Sequence, residues 1–338
     1  MVHVRSFVLT ILIVVISSAS AASAVAQGSA ATPEAVATGS SPVEFAWQTG
    51  GGPDPLAAPV DLAVDSEGIV WVVDSGNSRF QLFTPDGRFL ETWGTPGDGP
   101  GEFNFLVEPP HHGIGSVAFG PGGEIYVADW ANFRIQKFDR ERTFVTAWGT
   151  EGTGDGQFLS PLSVTVDGTG NVYVADDGRD DIQKFDADGT FLLKFSGRGM
   201  AEGQLLSSGY LTVDDAGNIW VADTGNHRIQ QFAPDGRFLR AWGRYGIGEG
   251  QLSSPLDVAV ADDGTVYVAD NGNHRVQVFD PEGRFLGQWG SAGAGEGQFI
   301  GPSGLALDGA GNIYVVDNNR AQKFHLIATL TSAATPTS

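Results

Sequence analysis

The sequence predicts an all-β protein in which six similar units of four antiparallel strands form a closed ring. The first observation is a tripeptide, Val followed by Ala or Val and then Asp, that recurs six times in the 338 residues. Its Asp residues are Asp74, Asp129, Asp176, Asp223, Asp270 and Asp317, at intervals of 55, 47, 47, 47 and 47 residues. The second is the abundance of Gly, 48 residues, which suits a chain with many tight turns. Such recurrence indicates one structural unit repeated along the chain.

Residues 255–301 show one unit clearly. The unit contains the segments DVAVA, TVYVAD, RVQVFD and RFLGQWG, which are rich in β-branched and aromatic residues. Short runs of this kind are typical of strands, and the Asp-Asp-Gly and Pro-Glu-Gly segments between them are typical of hairpin turns. Four strands in a unit of about 40–45 residues are typical of a propeller blade. The sequence therefore predicts a six-bladed β-propeller of four-stranded antiparallel blades.

The sixth unit is incomplete at the C-terminal end of the chain. No Trp-Gly strand follows Phe324, whereas residues 43–50, VEFAWQTG, match that missing strand and precede the first unit. We therefore expect the N-terminal strand to pair into the last blade and close the ring. Closure would leave no exposed seam between the first and last blades.

The segments outside the repeats predict a secreted protein. Residues 1–26 have the layout of a signal peptide: Arg5, an apolar run from Phe7 to Ile16, and a small-residue cleavage site at Ala24-Val25-Ala26. A retained membrane anchor is the alternative, but the apolar run is shorter than the ~20 residues that span a bilayer. Residues 27–42 and 327–338 contain few large side chains and are expected to be a disordered linker and tail. The propeller would occupy 43–326, with an extracellular, periplasmic or cell-surface location.

The charge balance excludes several functions. The chain has 40 Asp and Glu against 19 Lys and Arg, a formal net charge of −21, and no Cys. Nucleic-acid binding depends on Lys and Arg that neutralise phosphates, so a nucleic-acid partner and an anionic membrane surface are not expected. The absence of Cys excludes disulfides, thiolate metal ligands and Cys nucleophiles.

Two segments carry a resemblance to a known family. Residues 223–230, DTGNHRIQ, and 270–277, DNGNHRVQ, resemble the NHL repeat, and similar segments recur across about 43–326. The resemblance implies a six-bladed propeller of the kind found in secreted bacterial NHL-repeat proteins. It says little about function, because one fold hosts many activities.

Most recurring polar residues are expected to support the fold. An Asp at the end of a strand can accept hydrogen bonds from the next turn. Arg79, Arg134, Arg228 and Arg275 each follow such an Asp by five residues and are expected to pair with it.

Binding residues are more plausible where one copy departs from the others. The interval between the first two units is longer by eight residues, and this insertion, around 104–113, carries His111 and His112. Trp130 and Phe133 replace small or polar residues in the loop that follows the second strand of blade 2. A loop on a rigid scaffold commonly holds binding residues, and the alternative for the two aromatic residues is packing under the insertion.

Residues 176–181 of the third unit have lost the Asn-x-Arg pattern and gained acids around Arg179. A solvated acidic turn is favoured over a Ca²⁺ site, because the spacing is not that of the helix-flanked calcium loop. Arg179 remains a candidate ligand-binding residue.

A ring of residues is predicted at the mouth of the central channel. Tyr210, Asp61 and Asp257 lie at equivalent positions near the start of the first strand of their units, with Ser116, Ser163 and Gly304 in the others. Tyr210 is a candidate ligand-binding residue, and Asp61 and Asp257 are candidate ligands for Ca²⁺ or Zn²⁺.

Two functions remain open. Resemblance to the peptidyl-hydroxyglycine amidating lyase implies a zinc ion held by three His, but the matching positions here are Val60, Gly115, Leu162, Gly209, Leu256 and Ser303, which cannot bind zinc. Calcium-dependent lactonases of similar fold use carboxylates at the channel mouth. We favour a non-catalytic, monomeric module that binds an extracellular protein, peptide or glycan. A metal-dependent lyase or lactonase is the alternative.

Overall fold

The computed structural model describes residues 41–105 and 114–327, which form six four-stranded antiparallel sheets. Blade 1 contains β2 (Leu62–Val64), β3 (Val70–Asp74), β4 (Arg79–Phe83) and β5 (Phe89–Trp93), and blade 2 contains β8 (Ser116–Phe119), β9 (Ile125–Asp129), β10 (Arg134–Phe138) and β11 (Phe144–Trp148). Blade 3 contains β12 (Pro161–Val166), β13 (Val172–Asp176), β14 (Asp181–Phe185) and β15 (Phe191–Ser196), and blade 4 contains β16 (Ser208–Val213), β17 (Ile219–Asp223), β18 (Arg228–Phe232) and β19 (Phe238–Trp242). Blade 5 contains β20 (Pro255–Val260), β21 (Val266–Asp270), β22 (Arg275–Phe279) and β23 (Phe285–Trp289).

Blade 6 joins the two ends of the propeller. It contains β24 (Pro302–Leu307), β25 (Asn312–Asp317), β26 (Arg320–Leu326) and, as its fourth strand, β1 (Val43–Thr49). Val43 pairs with Leu326, and Thr49 pairs with Ala321. The predicted six-bladed fold and its closure by the N-terminal strand are confirmed.

Short elements complete the described chain. A parallel pair, β6 (Thr95–Pro96) and β7 (Glu102–Phe103), lies in the segment between blades 1 and 2. Four 3₁₀ helices follow second strands, at Ser75–Asn77, Trp130–Asn132, Thr224–Asn226 and Asn271–Asn273. Within 41–105 and 114–327 there is no helix long and apolar enough to cross a membrane.

Strand direction gives the ring two distinct faces. In blade 5, Pro255 at the start of β20 pairs with Asp270 at the end of β21, so both lie at the same end of the blade. The segments that connect successive blades and the loops after the second strands lie on this side, which we call the link face. The hairpin turns after the first and third strands lie on the opposite side, the turn face. In these turns Gly68 has φ +80°, a conformation that residues with a Cβ rarely adopt.

The core is divided among the six blade interfaces. Each cluster of buried apolar side chains joins two neighbouring blades, as with Val73, Phe80 and Leu82 of blade 1 against Val117 and Val127 of blade 2. The other five interfaces have equivalent clusters. Second strands are buried along their whole length, whereas fourth strands such as β5 lie at the exposed rim. The first strands surround the central channel, where the candidate site lies.

Candidate functional site

The recurring Asp at the end of each second strand holds the link face together. In blade 5, Asp270 accepts the backbone N–H of Ser253 at 2.7 Å and donors from Asn273, Arg275 and Gln277 at 2.8–2.9 Å. The four predicted pairs between Asp and an Arg five residues later are present: Asp74–Arg79, Asp129–Arg134, Asp223–Arg228 and Asp270–Arg275, at 2.6–2.8 Å. These carboxylates are occupied by the scaffold, because each oxygen already accepts hydrogen bonds.

A ring of six buried residues lies deeper, around the channel. We call it the channel ring; it consists of Asp61, Ser116, Ser163, Tyr210, Asp257 and Gly304. Each ring residue precedes an inner-strand residue whose backbone N–H needs an acceptor: Leu62, Val117, Val164, Leu211, Val258 and Leu305. The predicted equivalence of Asp61, Tyr210 and Asp257 therefore corresponds to one layer of the structure.

The channel ring links neighbouring blades through hydrogen bonds. Four of these N–H groups donate to the ring side chain of the preceding blade: Val117 to Asp61 at 3.3 Å, Val164 to Ser116 at 3.3 Å, Leu211 to Ser163 at 3.2 Å and Leu305 to Asp257 at 2.6 Å. The remaining two N–H groups are those of Leu62 in blade 1 and Val258 in blade 5. The blades that precede these two have Gly304 and Tyr210 as their ring residues. These two N–H groups donate instead to Asp61 and Asp257 of their own blades, each at 2.7 Å.

This pattern explains why Asp occurs at these two positions. Gly304 has no side chain, and a Cβ there would lie 2.8 Å from Cα of Asp61. The hydroxyl of Tyr210 donates to the carbonyl of Gly115 at 3.4 Å, so it reaches from blade 4 to blade 2. Where the preceding blade supplies no acceptor, the next blade uses Asp, because a carboxyl group has two oxygens and can accept both N–H groups.

Burial changes the protonation of the ring. Burial raises the pKa of Asp61 to about 7. Hydrogen bonds from the Ser116 hydroxyl and from the backbone N–H groups of Leu62 and Val117 lower this pKa, but by less than burial raises it. The pKa of Asp257 is raised well above its ordinary value, first by burial and then by the charge of Asp61. The pKa of Tyr210 is raised by burial and by the two carboxyl groups. The two Asp residues thus hold a proton at pH values where an exposed carboxyl is ionised.

A cavity of about 300 Å³ extends from the ring toward the turn face. Its walls come from the inner strands and expose both polar and apolar atoms, with Val64, Phe119, Thr165, Thr212 and Leu307 among the lining residues. The ring closes the link-face end of this cavity, because its residues are buried and Tyr210 reaches across. The channel is therefore a space of mixed polarity whose floor carries carboxyl groups with raised pKa values.

The ring does not fit the metals that the resemblance to lyases and lactonases implied. All four carboxyl oxygens of Asp61 and Asp257 already accept backbone N–H groups. Ca²⁺ takes six to eight oxygen ligands, and catalytic Zn²⁺ takes three protein ligands. Within 41–105 and 114–327, no group of three His, Cys, Asp or Glu side chains could hold a metal ion. The metal role of Asp61 and Asp257 stays a prediction.

The acidic segment of blade 3 is not the solvated turn that the sequence predicted. Asp176, Asp180 and Asp181 are buried. Asp180 accepts the backbone N–H of Ser207 at 2.6 Å, and Asp181 pairs with Arg179 at 2.9 Å. The turn is drawn inward because its carboxyl groups supply acceptors to the neighbouring links, and burial raises the pKa of Asp176 to about 6.

Arg179 is held in a structural position. Its guanidinium donates to the carbonyls of Gly154 and Gln157 at 2.9 and 2.7 Å. In blade 4, Arg228 makes equivalent contacts with Ala201 and Gln204, although it lies two positions later in its repeat. Arg179 therefore replaces the usual Arg, and a role in ligand binding stays a prediction.

Two further predicted binding residues, Trp130 and Phe133, lie on the link face. Trp130 and Phe133 are half-buried, and the indole N–H of Trp130 donates to the Ser160 hydroxyl in the link to blade 3. Phe133 has φ +53°, and His227 at the equivalent repeat position has φ +55°. His111 and His112 lie outside the described residues, as do the predicted signal peptide and most of the predicted linker and tail. The structure does not bring Trp130 or Phe133 to the channel ring.

Sequence reasoning missed an exposed apolar group on the link face. We call Met200, Tyr245, Ile247 and Ile300 the apolar arc; they lie in the consecutive links after blades 3, 4 and 5 and are exposed by 75%, 70%, 82% and 47%. Met200 and Ile247 occupy one repeat position, where the other links have Asp98, Thr153 and Ala294. Comparing the links by repeat position would have found this signal.

The arc rests on ordered links. The ring of Tyr245 packs on His227, with 4.9 Å between centroids, and Nδ1 of His227 accepts the backbone N–H of Ser254. Nδ1 of His274 lies 2.7 Å from the carbonyl of Ile300. The recurring His residues thus position the links, and the links present the apolar side chains.

Comparison with known proteins identifies the repeats. The family model described as NHL repeat matches residues 56–83, 113–138, 211–232 and 252–279. The human and mouse NHL repeat-containing protein 3 are each 33% identical over 114 residues, which are 32% of this chain and 30% of each relative. The chain thus spans about a third of the length of the curated relatives that it matches.

Solved structures share the fold at low identity. A streptogramin B lyase aligns with TM-score 0.58 and 13% identity over 83% of this chain and 98% of its own. A gluconolactonase from Xanthomonas campestris aligns with TM-score 0.59 and 14% identity over 80% and 86% of the two chains. A Bacteroides thetaiotaomicron protein of unknown function aligns with TM-score 0.62 and 15% identity over 84% and 73%. These likenesses show the fold alone.

Proposed function

We propose that this chain, an NHL-repeat six-bladed β-propeller, is a secreted, non-catalytic module that binds an extracellular protein or peptide through its link face. The apolar arc is the observation that carries the proposal. Ile247, Met200 and Tyr245 are the most exposed large apolar side chains of the described residues, and all three lie in neighbouring links on one face. Exposed apolar groups that cluster on a soluble protein commonly mark an interaction surface.

The chemistry of the arc favours a protein or peptide over a glycan. Met and aromatic side chains are enriched in the centres of protein interfaces. Two of the four arc residues are Ile, whose branched aliphatic side chain matches an apolar side chain of a partner. Half-buried Trp130 and Phe133 lie on the same face and extend the candidate surface toward blade 2. His111 and His112 lie outside the described residues, and their part in binding stays a prediction.

A peptide library displayed on phage tests the proposal. Peptides selected on the wild-type protein are expected to bind through the link face. The double variant Met200→Thr and Ile247→Thr, which installs the residue that the chain itself has at Thr153, should lose this binding. Leu192→Thr is the matched control, because Leu192 is exposed on a fourth strand away from the link face.

Two outcomes oppose the proposal. Peptides that bind the double variant as well as the wild type would place the interaction elsewhere. Failure to select any peptide, together with binding of glycans that is lost in the double variant, would support a glycan as the ligand.

The alternative, a metal-dependent lyase or lactonase, would use the channel cavity beside Asp61 and Asp257. Elemental analysis of the purified protein separates it from the binding module. Near one equivalent of Zn²⁺ or Ca²⁺, lost on Asp61→Ala or Asp257→Ala, would favour the enzyme. A wild-type protein that contains no stoichiometric Zn²⁺ or Ca²⁺ would favour the binding module.

A further inference from the structure

Three blade interfaces contain a lysine held in the same way near the turn face. The lysines are in the third strands of blades 2, 3 and 6: Lys137 lies over the ring of Tyr126, Lys184 over Tyr173 and Lys323 over Tyr314, with Nζ 5.5, 4.9 and 5.1 Å from the ring centroids. Each Nζ donates to a backbone carbonyl in a turn of the next blade, of Ala187, Pro234 and Pro85, at 2.7, 3.2 and 2.9 Å. The fold thus builds a repeated cradle for an alkylammonium group.

Blade 4 has the cradle but lacks the lysine. Gln231 occupies the position, and it pairs with Trp220 as Lys184 pairs with Tyr173. A Gln side chain is one bond shorter than a Lys side chain and carries no charge, and a cavity of about 270 Å³ lies between blades 4 and 5 at this point. Gln231 lines the cavity, is 4% exposed, and its Oε1 has no hydrogen-bond partner among the described residues. A buried acceptor without a donor is costly, so it points to a missing ligand.

The charges around this cavity favour a cation. Asp214, Asp215 and Asp262 line it, against a single cation, Arg240. Arg240 comes from the neighbouring strand β19 and donates through Nη1 to the carbonyl of Pro281 at 2.8 Å. Arg240 therefore makes the contact with this carbonyl that a lysine makes at the other three interfaces. Its single positive charge is smaller than the combined negative charge of the three carboxylates. The indole of Trp220 supplies the aromatic ring over which an ammonium group is stabilised.

We propose that the cavity between blades 4 and 5 is a binding site for a primary alkylammonium ion. The ion would take the place that lysine side chains take at three other interfaces, with an N–H directed to Oε1 of Gln231 and its charge balanced by the carboxylates. An ammonium group carries three donors, and the carbonyl of Pro281 retains a second lone pair. The site lies on the turn face, so it does not depend on the function proposed for the link face.

Titration with n-butylammonium chloride, which has the length of a lysine side chain, tests the site. Isothermal titration of the full chain should show saturable binding. n-Butanol lacks the charge and tetramethylammonium lacks the N–H donors, so both should bind about tenfold or more weakly. Gln231→Lys should fill the cavity with the chain's own ammonium group, raise the unfolding temperature and abolish binding.

A second variant, at a different blade interface, tests the proposal independently of Gln231→Lys. Lys184→Gln should open an equivalent cavity between blades 3 and 4, lower the unfolding temperature and bind a second equivalent of n-butylammonium, which restores part of the lost stability. Absence of saturable binding to the wild type would overturn the proposal, with water alone in the cavity. Binding that persists in Gln231→Lys, or a Lys184→Gln variant that gains no site, would also overturn it.

Discussion

Ionisation of the buried Asp61 carboxyl is expected to destabilise the folded ring. Burial raises its pKa from 3.8 to about 7, so the folded protein binds this proton more tightly than the unfolded chain does. Between these two values the free energy of unfolding falls as pH rises. The stabilising contribution is fully present below pH 3.8 and is lost as pH rises through about 7.

The structure gives the magnitude. The difference between a pKa of 3.8 in the unfolded chain and about 7 in the folded protein corresponds to about 4 kcal/mol over the whole range between them. Asp176 and Asp177, with pKa values of about 6, change in the same range, so the wild type alone cannot isolate Asp61. Asp61→Asn removes the titration while its carboxamide oxygen still accepts one of the two backbone N–H groups. The loss of the second acceptor should cost about 1 kcal/mol at pH 5.

Urea unfolding at pH 5 and pH 8, followed by Trp fluorescence, is the assay. The wild type should lose more stability between the two pH values than Asp61→Asn, by about 3 kcal/mol, because within this range the difference accumulates only between pH 5 and the folded-state pKa of about 7. Asp86→Asn is the control, because Asp86 is exposed and its pKa is lowered by a hydrogen bond from Thr84, so it is ionised throughout the range. An equal loss in the wild type and in Asp61→Asn would refute the assignment of this titration to Asp61.

Asp270→Ala should lower the free energy of unfolding by about 3–5 kcal/mol, because Arg275 would remain buried without its partner. A loss no larger than that from breaking the exposed Arg140–Glu141 pair would contradict this. Gly304→Ala should cost about 1–3 kcal/mol in the same urea assay, because the added Cβ would press on Asp61; an unchanged midpoint would show that the ring relaxes. Deletion of residues 43–49 should expose the edge of β26 and produce oligomers on size-exclusion chromatography, whereas a stable monomer would contradict the importance of closure.

The sequence predicted the features that depend on the repeat alone. The 47-residue interval located the blades, and the missing Trp-Gly strand after Phe324 predicted the pairing of β1 with β26. The same alignment placed Asp61, Tyr210 and Asp257 in one layer. These inferences succeeded because equivalent positions in a repeat occupy equivalent positions in the fold.

Features that depend on neighbouring blades could not be predicted in this way. The acids of blade 3 are buried because Asp180 meets Ser207 of the next link, a contact that no local pattern indicates. The two Asp residues of the channel ring compensate for Gly304 and Tyr210 one blade earlier. The cavity beside Gln231 likewise depends on a turn of blade 5. Each case involves residues that are distant in the sequence and adjacent across a blade interface.

Closure by the N-terminal strand also affects the order of folding. β1 is synthesised first, but its partner β26 ends at Leu326, so blade 6 cannot be completed until almost the whole propeller has been made. Pairing across such a sequence separation is slow, because a long loop must be ordered before any contact compensates for it. We therefore expect the pairing of β1 with β26, which completes blade 6 and closes the ring, to be a late step of folding.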